Sequence, residues 1–301
     1  MSILNVFFDC VIFFFSVRLL TRPGHGFSFN PFVSAPTVSM DNVLGGIRSF
    51  FGLPERGGCV MVILLAFALK ILFFHKTGPS AGLNVGTVFT FTPSPSAAGG
   101  FAAAAGLGAA GTLLFVFRVW TVFLFVRLLQ PPGAGSRALD AFSYFSRPLS
   151  RFRTVTAWLT LAGGGFLFML LLVQGFRLTS LTPTGRMDVA LFGSIPVWIS
   201  LLKTAWLTVL TLVDGIYFLN QTLFVLVVGS LLFSLIGWMA GLAFVGEWID
   251  LVLGRFRIAR QVGGMLDFRP VFFFLLSTLL YSFLAGILSQ MILMPFPGGL
   301  P

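Results

Sequence analysis

Charge is what this chain has least of. Only 9% of its 301 residues are Asp, Glu, Lys or Arg, against about a quarter in a soluble domain. So few charges cannot coat a water-soluble globule of this length, and that class is excluded. Cysteine is nearly absent too. Cys10 and Cys59 sit in apolar segments with no CxxC spacing, which excludes a disulfide framework and a thiolate metal site and leaves two small buried hydrophobes. The two histidines, His25 in a Gly-rich loop and His75 beside Lys76, fall on opposite predicted sides of a membrane and cannot sandwich one haem. His75 remains a weak candidate for holding a pigment by itself. There is no Gly-rich phosphate loop, no HExxH, no nucleophile elbow and no carboxylate pair at catalytic spacing. The expectation is a protein that is not an enzyme and that carries no cofactor or metal.

What is present is hydrocarbon. Hydrophobic residues make up 57% of the chain, 38 of them Phe. The apolar runs are continuous rather than alternating, so the predicted fold is all-α, a polytopic membrane helical bundle and not a barrel. The spans drawn from these runs are Ile3–Leu20, Cys59–Phe74, Thr112–Leu129, Val155–Phe176, Tyr217–Gly241 and Val271–Met291. No basic residue precedes the first run, so it reads as a retained span and not as a signal peptide. Lys70 is expected to snorkel to the interface. A further apolar stretch from Ile195 to Val213 contains Lys203 and ends at Asp214; it reads as either a seventh span or a re-entrant or interfacial helix, and the basic-residue count favours the partial element. Lys203 is expected to snorkel in preference to pairing with Asp214.

Val17-Arg18-Leu19-Leu20-Thr21-Arg22-Pro23-Gly24 recurs 109 residues later as Val126-Arg127-Leu128-Leu129-Gln130-Pro131-Pro132-Gly133. Each copy closes an apolar run, the mark of a duplicated hairpin. Between the paired spans lie amphipathic segments suited to the membrane interface. In the first, Met40, Val43, Leu44, Ile47 and Phe51 recur at helical spacing. The second has Phe142 and Phe145 with Arg151 and Arg153, and the third has Trp248 with Arg255 and Arg257. The organisation predicted is a first hairpin over 1–78, a Gly/Ala/Pro-rich linker over 79–111, a second hairpin over 112–178, and a third over 189–301 that includes the extra helix 195–213. Thirteen of the 19 basic residues fall at or within the three hairpin loops. These loops are therefore expected in the cytoplasm, with both termini opposite.

Short motifs within this plan resemble the YggT/YlmG family of small bacterial and plastid membrane proteins. They are Phe29-Asn30-Pro31-Phe32, then Ser146-Arg147-Pro148-Leu149-Ser150-Arg151-Phe152-Arg153, and the turn Gly263-Gly264-Met265-Leu266-Asp267-Phe268-Arg269-Pro270. Ile195-Pro196-Val197-Trp198 through Lys203-Thr204 is similar to the stretch that joins two family hairpins. Arg269 stands where the family usually has Ser, one residue is inserted before Asp267, and a third hairpin is unusual. The resemblance implies an inner-membrane or organellar protein doing accessory or assembly work, in a family associated with osmotic tolerance, division-linked gene neighbourhoods and plastid cytochrome assembly.

Few residues are left to carry chemistry. The 109-residue offset aligns Asp9 with Arg118, and equal depth predicts an intramembrane ion pair between them, either a packing device or part of a proton or ion relay. Asp267 is placed to cap the last span. Asp214, Asn220 and Gln221 read as helix-end polars. Phe142, Phe145, Arg151, Arg153, Trp248, Arg255 and Arg257 form candidate surfaces for anionic lipid or a partner. The partners expected are the bilayer and other membrane-protein subunits, with no nucleic acid despite the net charge of +10. Three functions follow: a scaffold, accessory subunit or assembly factor; a transport or channel-accessory protein; or a pigment-associated or energy-complex subunit.

Overall fold

The computed structural model describes residues 3–21, 31–77, 83–85, 89–93, 100–129, 144–145, 153–180, 197–235, 246–247, 249–250, 252–254 and 269–288. Seven helices occur among them. They are α1 (Ile3–Leu20), α2 (Pro31–Phe51), α3 (Glu55–Thr77), α4 (Phe101–Leu129), α5 (Thr154–Gly175), α6 (Val197–Leu235) and α7 (Arg269–Ser282), the last continued by a π-helical stretch Phe283–Leu288. Five stretches are long and apolar enough to cross a membrane: Glu55–Phe73, Phe101–Leu128, Thr154–Gly175, Val197–Phe224 and Arg269–Leu288. α1 adds 18 residues of similar character.

These helices form because lipid leaves backbone N–H and C=O groups no partner but each other. Their hydroxyls follow the same rule. Thr121, Thr204, Thr208 and Thr211 each donate to the carbonyl four residues back. Neighbours in the bundle alternate or align so that Arg18, Arg56, Arg127, Arg153 and Arg269 mark one end of it. Arg18 meets Glu55 where α1 ends and α3 begins. α4 runs antiparallel to α5, with Leu124 beside Ala157 in one cluster and Gly106 against Phe176 at the far end. α6 lies parallel to α4, joining Leu207 and Leu210 to the Leu107–Leu114 region and Leu219 and Leu223 to Val122 and Val126. α7 returns along α6, with Tyr281 stacked on Tyr217 at 4.4 Å between ring centroids.

Three expectations need correction here. Ile195–Val213 is not a separate partial element. It is the first half of α6, a continuous helix of 39 residues. Asp214 offered a polar break, but inside the bundle it is matched by a partner on α4 and the helix runs through it. The fifth apolar crossing therefore lies over Val197–Phe224, not Tyr217–Gly241. Merging the two also keeps α7 antiparallel to α6.

The second correction concerns the linkers. The 79–111 segment is not a plain linker, and the fold is not purely helical. β1 (Leu83–Val85), β2 (Phe89–Pro93) and β3 (Phe176–Ser180) make an antiparallel sheet in that order. Thr90 pairs with Thr179 and Phe91 with Leu178. Phe89-Thr90-Phe91-Thr92 alternates with period 2, which puts Phe91 into the core while Thr residues alternate with it. Phe91 is fully buried, and Leu83 joins it in a cluster with Ala104, Leu107 and Ala110. The sheet, which carries Arg177 in β3, lies over the end of the bundle opposite Arg18, Arg56, Arg127, Arg153 and Arg269, as it must, because its open edges cannot face lipid.

The third is the start of α4. It opens at Phe101, not Thr112, since the Ala-rich tract is intrinsically helical and its Ala104, Leu107 and Ala110 pack into that same cluster.

α2 follows the amphipathic pattern in part. Met40 and Leu44 are buried against Phe15 and Cys59, whereas Val43 and Phe51 are exposed. Gly58 lets α3 come close, because a Cβ there would meet Leu44 at 2.9 Å.

Candidate functional site

Two charge pairs lie inside the bundle, both anchored on α4. The first joins α1, α3 and α4. Lys70 Nζ donates to Asp9 Oδ1 and to Thr112 Oγ1 at 2.9 Å, and Thr112 Oγ1 donates to the same Asp9 oxygen at 2.9 Å. Lys70 and Asp9 side chains are completely buried. Gly111 makes this possible: its missing side chain leaves Lys70 Nζ 3.2 Å from where a Cβ would stand, with Leu83 of β1 at 3.6 Å. The sheet thus closes the site on its outer side. Among the described residues, buried Asp9 Oδ2 and Asn5 Oδ1 have no hydrogen-bond partner. They stand four residues apart on α1, hence on one face.

The second pair joins α4 to α6. Arg118 Nε donates to Asp214 Oδ2 at 2.5 Å, both groups buried. Gly215 brings the two helices together, since a Cβ there would lie 2.8 Å from Thr121 Cβ. Thr112 and Arg118 are six residues apart, which places the pairs at depths differing by ~9 Å at 1.5 Å rise per residue.

Asp9 and Arg118 were expected to pair with each other; instead each has a different partner. The reason is register. Asp9 bonds to Thr112, six residues before the position the repeat aligns with it, so the two repeat helices do not pack at equal depth. Lys70 does not snorkel: it is buried and donates to Asp9 and Thr112. Lys203 does not snorkel either. It is buried on α6 near Ser200 and Thr204, and Asp214, eleven residues further along the same helix, faces Arg118. Asp214 is accordingly a mid-helix partner and not a helix-end polar. Asn220 is buried, while Gln221 is exposed.

The remaining candidates divide. His75, in the last turn of α3, is exposed with its ring 6.2 Å from that of Phe101, edge to face. Phe145 does not simply face the headgroups. It is half-buried, 5.4 Å from Phe14 and 5.2 Å from Tyr144 between centroids, because Tyr144 beside it is fully buried in the α1–α4 cluster. Arg153 is exposed at the start of α5. Arg269 is buried and donates to Asp250 Oδ1 at 2.7 Å. His25, Phe142, Arg151, Trp248, Arg255, Arg257 and Asp267 lie outside the described residues.

Sequence reasoning missed Lys70, Thr112, Gly111 and Asp214 as site members. The signal was there in outline, since a Lys and two Asp in apolar runs each require a partner. In a medium of low dielectric each pair holds two helices by Coulomb attraction, and breaking one leaves an uncompensated charge. Among the described residues no three of His, Cys, Asp and Glu come together to hold a metal ion. No family model, no curated protein and no solved structure matches this chain.

Proposed function

We propose that this chain is a non-enzymatic integral membrane scaffold, an accessory subunit or assembly factor of a larger membrane complex. In this reading it is a YggT/YlmG-type protein of three span–interfacial helix–span units, in a bacterial inner membrane or an organellar membrane of bacterial ancestry, with the arginine-rich end cytoplasmic. The observation that carries it is an apolar groove of about 440 Å³ between α4 and α5. Gly164 and Gly165 line it alongside Leu113, Leu167 and Leu171, all three leucines exposed. A Cβ on Gly164 would meet nothing within 4 Å. Small residues flanked by aliphatic ones admit a neighbouring transmembrane helix at close range, where van der Waals packing drives association in lipid. The charge pairs suit the same role, since they tie α1, α3, α4 and α6 into a rigid platform.

Gentle-detergent purification should bring down stoichiometric partners. Gly164→Leu, which puts bulk into the groove from a position where a Cβ meets nothing within 4 Å, should release them while the chain itself stays folded. A wild-type protein that migrates alone would sink the reading.

A second reading, transport or channel-accessory work tied to ion balance, is favoured by one observation. Asn5 Oδ1 and Asp9 Oδ2 are buried acceptors left open near the start of α1. Proton flux through liposomes reconstituted with the chain, abolished in Asp9→Asn, would favour it; wild-type liposomes as tight as empty ones would exclude it.

A further inference from the structure

A cavity of about 430 Å³ opens where α1 ends and α3 begins, lined in part by Arg18, Leu20, Glu55 and Arg56. It sits at the arginine-rich end of the bundle, and its groups carry both signs of charge. The Arg18 side chain is only 9% exposed. Its Nη2 lies 2.8 Å from Asp41 Oδ1 and its Nε 2.9 Å from Glu55 Oε1. Among the described residues its buried Nη1 has no acceptor, an unmade bond that a guanidinium leaves only at a cost. Arg56 is exposed and makes no ion pair among the described residues. The opening turn of α3 adds backbone N–H groups that have no acceptor within the helix. Three kinds of donor therefore converge on one space.

Opposing them is the lining carboxylate Glu55, while Asp41, outside the lining, pairs with Arg18; each is about half exposed. With Asp41 counted, the two arginines and two carboxylates leave no net charge. A purely anionic ligand would meet Glu55, and a purely cationic one would meet Arg18 and Arg56. A zwitterion satisfies both. Leu20, 63% exposed on the cavity's rim, offers an apolar wall continuous with the lipid-facing side of α1.

We propose that this cavity binds the headgroup of a zwitterionic aminophospholipid of the phosphatidylethanolamine class. The phosphate accepts from Arg18 Nη1, Arg56 and the first amides of α3. The primary ammonium donates to Glu55, and the acyl chains run down past Leu20. A choline headgroup is disfavoured because its quaternary nitrogen has no N–H to give a carboxylate. A glycerol headgroup is disfavoured because its net negative charge meets Glu55 uncompensated. The site is independent of the groove between α4 and α5.

The test uses the full chain in nanodiscs of phosphatidylcholine doped equally with phosphatidylethanolamine and phosphatidylglycerol, released and weighed by native mass spectrometry. The wild type should retain one phosphatidylethanolamine. Arg56→Gln should lower that occupancy roughly five-fold, the share of one surface basic group. Glu55→Gln should shift retention toward phosphatidylglycerol. Circular dichroism establishes that both variants keep their helix content; Arg56 and Glu55 are exposed, so folding does not hinge on them. Equal retention of the three lipids, or phosphatidylethanolamine retention unmoved by both substitutions, would overturn the proposal. So would displacement of the bound lipid by soluble glycerophosphoethanolamine at matched concentration, which would assign the site to a water-soluble ligand.

Discussion

At the residue scale the decisive groups are Asp9, Lys70, Arg118 and Asp214. Removing one partner of a buried pair strands the other, at about 3–5 kcal/mol, whereas replacing both by apolar groups is close to neutral. Lys70→Met should therefore destabilise the bundle by about that much, and Asp9→Leu combined with Lys70→Met should recover most of the loss. Reversing the pair, Asp9→Lys with Lys70→Asp, should be tolerated far better than Asp9→Arg with Arg118→Asp. Denaturant unfolding in mild detergent reads all four; a rescue seen only in the last variant would restore an Asp9–Arg118 pairing. That each charge needed a partner was legible in the sequence, because an isolated ion in hydrocarbon is too costly to leave alone. Which partner it took was not. A slip of six residues between α1 and α4 decides that, and such a slip is set by Gly111, by the Phe13–Phe115 edge contact at 6.3 Å, and by other packing that no local pattern encodes.

At the element scale, glycines set the spacing of α4, α5 and α6. A Cβ on Gly165 would lie 2.4 Å from a ring carbon of Phe117, with Thr208 at 3.3 Å behind it. Gly165→Ala must push Phe117 aside, and overpacking of this kind costs about 1–3 kcal/mol. Gly163→Ala, two residues away with nothing within 4 Å, should be neutral. Comparing the two melting temperatures checks the assignment of faces, and equal losses would contradict it. The apolar helices were readable in advance because lipid demands about 20 consecutive apolar residues whatever the tertiary context. α6 was cut in two by Asp214, since a charge at mid-helix looks like an end until its partner on another helix is known. The strand over Phe89–Pro93 carried its period-2 signature in plain view. It was overlooked among flanking Gly, Pro and Ser, and its pairing partner lies beyond two intervening helices.

At the scale of the whole molecule, that sheet is what joins the chain leaving α3 to the chain leaving α5. Its register predicts proximity between residues far apart in sequence. With Cys10 and Cys59 replaced by Ala, a Thr90→Cys, Thr179→Cys variant should cross-link through a short bifunctional thiol reagent, the two positions being direct cross-strand partners. A Thr90→Cys, Ser49→Cys variant, the second position exposed near the end of α2 beside Arg48, should not. Efficient linking of the second pair, or none of the first, would remove the sheet.

The order β1-β2-β3 also carries a clock. β2 cannot find β3 until α4 and α5 have been made and inserted. At a synthesis rate of about 5–20 residues per second, that leaves the Phe89–Pro93 edge open for roughly 4–18 s. During that interval Phe91, later fully buried, has no cover from β3, and the Asp9–Lys70 pair lacks the finished sheet above it. Assembly of this chain is thus sequential, with closure of the sheet as a late step, and interruption just before residue 176 would leave the helices through α5 in place but β2 without β3.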